Sequence, residues 1–163
     1  MTGRRGLLDT ILGALGGRRA PSGPAGGTPG AEAPGVGPLL DWAAQPDGRP
    51  DPGEIVWTWV PYEDDPRQGK DRPVLVVGRR DATTLVVLQM TSKDHDRDEA
   101  QEAREGRRWM DIGSGPWDPR GRPSEVRLNR FIDIAEDAIR REGAVLDRGV
   151  YRQVIEAARQ YLP

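Results

Sequence analysis

Two apolar runs, "VLVV" at 74–77 and "LVVL" at 85–88, constrain this 163-residue chain more than any other feature. Only residues 78–84 separate them. A crossover between parallel strands needs a dozen or more residues, so the two runs must pair antiparallel. Neither run alternates with polar residues, so both faces of the pair are covered by other parts of the chain. The segment "DATT" supplies the turn. Upstream, "EIVWTWV" alternates Ile55, Trp57 and Trp59 with Val56, Thr58 and Val60, a strand by period and by its β-branched and aromatic content. Pro61 ends it, and the polar loop "YEDDPRQGKD" leads into the first apolar run.

The remaining elements are shorter. "RRWMDIGS" reads as a fourth strand and "GPWDPRGRPS" as a proline-rich loop. "EVRLNRFIDIAED" places Val126, Leu128, Ile132 and Ile134 for one or two further strands, and "AIRREGAVL" for a short strand or turn. The clearest helix is "DRGVYRQVIEAARQYL", with Asp147 as N-cap and Val150, Val154, Ile155, Ala158 and Leu162 on one face. The expected class is mainly β with α: a small antiparallel β-barrel closed by a C-terminal helix.

The amino-terminal third differs. Residues 1–15 carry Leu7, Leu8, Ile11, Leu12 and Leu15 at helical spacing, a short amphipathic segment. Residues 16–51 form a Gly/Pro-rich linker, too poor in apolar surface to offset ordering entropy, and Leu39, Leu40 and Trp42 are its available docking groups. The barrel domain is expected over 52–163. No apolar run approaches the roughly 20 residues of a membrane span, and Asp9 interrupts the one leader-like stretch. A cytoplasmic protein without stable membrane insertion is expected.

Composition excludes several chemistries. With no cysteine and one histidine, His95, the chain has no thiolate nucleophile, no Cys zinc site and no two-histidine ribonuclease mechanism. Residues 1–49 carry five Arg against four Asp/Glu, net +1; the other 19 basic and 22 acidic residues leave 50–163 at −3. A nucleic-acid site must therefore be a local patch. Phosphate-loop, nucleophile-elbow and HExxH motifs are absent. Asp94, Asp96 and Asp98 lack the glycine and closing glutamate of a calcium loop, so 94–105 is expected as a solvated charged loop with some helical potential.

Arg72 opens one strand and Thr91 closes the next, and antiparallel pairing brings such ends to one rim. A forked, permanent cation beside a hydroxyl suits a phosphate. Solvation at the strand ends, or a local Asp71–Arg72 ion pair, accounts for the same residues without chemistry. Arg67, Lys70, Trp117, Arg120 and Arg122 are further candidates for contact with a nucleic acid. Trp117 either stacks a base in the open or packs its loop onto the barrel.

The order "GEIVWTWVPY … RQGKDRPVLVV … LVVLQMTS" resembles the PemK/MazF toxins of type II toxin–antitoxin systems. The matching parts are Gly53–Trp57, Gln68–Val76 and Leu85–Ser92, and the closing strands and helix extend the likeness over about residues 52–162. The resemblance implies an SH3-like barrel, a homodimer, an antitoxin partner, and cleavage of single-stranded RNA without metal or other cofactor. It gives Arg72 and Thr91 the catalytic positions, Ser92 a supporting one, and Gln68 a place in the substrate-binding loop. Many members carry a glutamate five residues before the catalytic arginine. Arg67 stands there in this chain, leaving Glu63, Asp64 and Asp65 as the carboxylates nearby. The alternative is a catalytically silent barrel that binds nucleic acid or protein.

Overall fold

Among the described residues the chain forms six antiparallel strands in the order β4-β5-β3-β2-β1-β6. They are β1 Glu54–Pro61, β2 Gly69–Arg79, β3 Thr84–Thr91, β4 Trp109–Gly113, β5 Ser124–Ala135 and β6 Arg141–Val145. The described residues also form two α-helices, α1 Glu99–Arg104 and α2 Arg148–Arg159. The computed structural model describes Leu39, residues 41–93 and residues 98–163, apart from the side chains of 141–143. All belong to the unit Pro34–Pro163. The expected helix at 1–15, the linker through residue 38, and Leu40, Asp94, His95 and Asp96 lie outside the described residues.

The two apolar runs pair as their short connection requires, with Leu75 opposite Leu88 and Val76 opposite Val87. Each run buries both faces. Ile55, Leu75, Val77, Val86 and Leu88 join one core cluster, while Val56, Val60, Val74, Val76, Leu85 and Val87 join the other. The sheet curls into a half-barrel with β4 and β6 at its edges. The segment read as one or two strands is a single long strand, β5, which pairs with both β4 and β3.

Asp147 caps α2 as its position suggests: Oδ1 accepts from the backbone N–H of Gly149 (2.8 Å) and Val150 (3.0 Å). The buried face is Tyr151, Val154, Ile155 and Ala158, with Val150 at its margin. Leu162 is 38% exposed, because the helix stops at Arg159 and the chain no longer follows the helical stripe. The Tyr151 hydroxyl donates to the Val77 carbonyl (3.3 Å), tying α2 to β2.

Residues ahead of β1 also join the fold. Leu39 bridges Gly78, and Trp42 Nε1 donates to the Leu146 carbonyl (3.0 Å). The Trp42 indole lies against Gly53, whose φ is +100°. A Cβ there would sit 2.4 Å from Trp42 Cδ1, so both the backbone and the indole require glycine.

One sequence expectation is corrected. Residues 99–104 are helical, and Glu102 is buried rather than solvated. Its carboxylate accepts from Arg107 Nε (2.6 Å), Arg107 Nη2 (3.0 Å) and Trp109 Nε1 (2.8 Å). Three donors compensate its loss of water and fasten α1 to β4.

Candidate functional site

Arg72 lies on β2 opposite Thr58 of β1. On the other side, β2 and β3 pair Val74 with Gln89. That pair ends the β2–β3 ladder, and its register, continued by two residues, points from Arg72 to Thr91 at the end of β3. Two clefts meet at these residues, and both are lined by Lys70, Arg72 and Thr91. The smaller, about 140 Å³, adds Trp57, Asp71, Pro73, Met90, Ser92, Trp117, Asp118, Arg122 and Ser124. The larger, about 500 Å³, adds Tyr62, Glu63, Asp64, Gln89, Lys93, Glu102, Arg107, Trp109, Arg127 and Arg130. Six of the larger cleft's residues are cationic and three anionic, so an acidic domain carries a locally positive groove.

The Arg72 guanidinium has no ion pair among the described residues. Asp71 pairs instead with Arg140 (3.6 Å), which removes the local Asp71–Arg72 pair as an explanation. Arg72 Nε is buried without a hydrogen-bond partner. The guanidinium stands 6.0 Å over the Tyr62 ring, at the edge of cation–π range. Burial pushes its pKa below the usual arginine value, and Tyr62 offsets part of this. The group stays charged, yet it is held where charge is poorly solvated. Such a cation gains strongly from an incoming anion. The Thr91 hydroxyl accepts from the Lys93 backbone N–H (3.1 Å), which leaves its own hydrogen available to donate to such an anion.

The other sequence candidates divide. Lys70 lines both clefts, and Ser92, Trp117 and Arg122 line the smaller one. Trp117 is not an open stacking platform: it is 5% exposed and donates from Nε1 to Ser124 Oγ (3.0 Å). It packs the loop onto the core because Gly115, whose missing Cβ would overlap the indole, leaves room for the ring. Arg122 pairs with Asp118 through Nε–Oδ2 (2.8 Å) and Nη2–Oδ1 (3.2 Å). Arg120 is exposed and gives only its backbone N–H to Asp118. Arg67 and Gln68 line neither cleft; both are bound to the Asp65 carboxylate.

The nearby carboxylates are now distinguishable. Glu63 accepts from Arg127 at 2.6 and 2.9 Å, and this bond lowers its pKa. Asp65 is occupied by Arg67 and Gln68. Asp64 lines the larger cleft and has no ion pair among the described residues.

Sequence reading missed Arg127 and Arg130. Between the pairs Leu88–Phe131 and Met90–Val126, a single residue of β3, Gln89, faces residues 127–130 of β5. This bulge breaks the alternation of the strand, and it brings both arginines to the larger cleft. Among the described residues, no cluster of three His, Cys, Asp or Glu could hold a metal, and no helix is long and apolar enough to cross a membrane.

The curled antiparallel sheet and its carboxy-terminal helix are the architecture that the sequence resemblance implied. The chain belongs to the PemK-like, MazF-like toxins of type II toxin–antitoxin systems, whose family model matches residues 51–162. Three solved structures are similar to this chain at low identity. A mycobacterial endoribonuclease in complex with its cognate antitoxin is 15% identical, with a TM-score of 0.46, covering 71% of this chain and 97% of its own. The Deinococcus radiodurans MazE–MazF complex is 17% identical, with a TM-score of 0.47, covering 69% and 94%. The Mycobacterium tuberculosis toxin MazF-mt6 is 18% identical, with a TM-score of 0.44, covering 66% and 94%. No curated protein matches the chain.

Proposed function

We propose that this toxin is an endoribonuclease that cleaves single-stranded RNA without a metal, neutralised by a cognate antitoxin and acting as a cytoplasmic homodimer. The observation that carries this reading is the partly buried, unpaired Arg72 guanidinium beside the Thr91 hydroxyl where two clefts meet. It fits a phosphate that becomes more negative during reaction.

In this mechanism a 2′-oxygen attacks the adjacent phosphorus as the bond from phosphorus to the 5′-oxygen breaks. The 2′-hydroxyl proton passes to Asp64, the open carboxylate of the larger cleft, and the departing 5′-oxygen takes up a proton from water. The products are a 2′,3′-cyclic phosphate and a 5′-hydroxyl. Arg72 stabilises the charge on the phosphoryl oxygens, and Thr91 donates to one of them, with Ser92 beside it.

The test is incubation of the purified protein with mixed-sequence RNA in EDTA, followed by mapping of the ends. Cyclic phosphate ends that disappear with Arg72→Ala support the reading, and intact RNA sinks it. The second reading is a silent barrel that binds nucleic acid or protein. It is favoured by the ion pairs that occupy Glu63 and Asp65. It predicts RNA binding that survives Thr91→Ala, with no cleavage.

A further inference from the structure

We propose that Arg130 is a second phosphate seat, so that RNA leaves the Arg72–Thr91 rim through the larger cleft with the neighbouring phosphate on Arg130. This rests on the nucleic-acid part of the proposed function and deepens it by assigning a path and a further binding residue.

The guanidinium of Arg130 is fixed by two neutral acceptors. Nη1 donates to Gln89 Oε1 and Nη2 to the Pro61 carbonyl, each at 2.6 Å. Three of its five N–H groups remain for another partner. No carboxylate pairs with it among the described residues; Glu63, whose charge it feels, has both oxygens on Arg127. Arg130 thus repeats the condition of Arg72 in the same cleft. Burial lowers the pKa of each, and the Arg72 charge adds to the effect on Arg130. Two desolvated like charges destabilise one another until an anion lies between or over them.

Placement supplies the direction. Gln89, which holds Arg130, and Thr91 lie on one face of β3, about 7 Å apart along the strand. An extended nucleic-acid backbone covers that separation in one nucleotide. The bulge at residues 127–130 is the device that turns Arg130 toward this groove.

The test uses a 2′-O-methyl RNA oligonucleotide, which cannot be cleaved by 2′-oxygen attack. A single neutral methylphosphonate linkage is walked along it while affinity is measured. In the wild-type protein, two adjacent linkages should each weaken binding by about tenfold, as expected for hydrogen bonds to a charged group. Arg130→Gln should erase the sensitivity at one of the two and reduce the slope of log affinity against log salt by about 0.7. Arg130→Lys, which keeps the charge, should restore most of that slope. One sensitive linkage in the wild type, an Arg130→Gln effect independent of linkage position, or no binding would each overturn the proposal. The wild-type scan decides the matter even if a variant fails to fold. Two sensitive linkages without cleavage of ordinary RNA would remove the nuclease reading and leave the second seat. Cleavage with one sensitive linkage would do the reverse.

Discussion

Two arginine-lined regions of this protein differ in how their arginines are partnered. The larger, about 880 Å³, lies among Arg49, Thr83, Glu136 and Arg140. Beside it, Arg79 donates to Glu136 (2.6 Å) and to the Pro50 carbonyl (3.1 Å), and Arg49 Nε adds a bond to the same carboxylate (3.3 Å). Arg80 forms a two-bond fork with Asp133 (2.7 and 2.9 Å), which raises its pKa. At the Arg72 rim the hollows are smaller, and Arg72 and Arg130 have no carboxylate among the described residues. Burial lowers their pKa values instead. Size therefore does not mark the candidate site. Unmatched charge held away from water does, because it gains most when an anion arrives.

The sharpest way to break this contrast is to remove one arginine from each region. Arg72→Ala should lower the cleavage rate about 10²- to 10³-fold, the scale of losing one preorganised donor at a developing charge. Its unfolding temperature should not fall, since no ion pair is lost. Arg79→Ala should do the opposite. Cleavage should persist, while stability drops by about 1 kcal/mol, a value kept low because both partners retain some solvent access. If the two variants lost activity equally, with no difference in thermal stability, the division between structural and substrate-binding arginines would be wrong.

Next in size is the effect of the open carboxylate. Asp64→Asn should reduce the maximal rate about 10²-fold with little change in RNA affinity, as for loss of a general base. Asp65→Asn should leave the rate nearly unchanged, because Asp65 serves its own loop through Arg67 and Gln68. Cleavage rate against RNA concentration separates the two. A large rate loss in Asp65→Asn alone would exchange their roles.

What was legible in the sequence follows the same division. The antiparallel core was readable because seven residues cannot carry a crossover, and the rim pair followed from register, since strands of fixed pairing bring Arg72 to Thr91. The capped helix was readable from Asp147 and its apolar spacing. Arg127 and Arg130 were not, because the two-residue period holds only in a regular strand, and β5 bulges there. Trp117 was ambiguous, since its fate depends on the space beside Gly115, a distance that no local pattern encodes. Glu102 looked like part of a solvated run because its donors, Arg107 and Trp109, lie beyond the helix.

The smallest expected effect concerns a paired arginine that nevertheless lines a cleft. Asp118 accepts four bonds, from Arg122 Nε and Nη2 and from the backbone N–H groups of Arg120 and Arg122. The Arg122 side-chain bonds are the main cause that draws its pKa from 3.8 down to about 2. A carboxylate with a depressed folded-state pKa stabilises the fold above its unfolded value, and that contribution disappears as pH falls through the folded one. The Asp118 contribution should therefore be complete above about pH 4 and decline between about pH 4 and 2. Asp118→Asn should unfold at a lower temperature than wild type near neutrality, and the gap should close across that acid window. Thermal unfolding of both proteins from pH 6 to 2 measures it. A gap that stays constant down to pH 2 would mean that the Asp118–Arg122 bond adds nothing through charge. Arg122 would then join the open arginines of the rim rather than the paired ones.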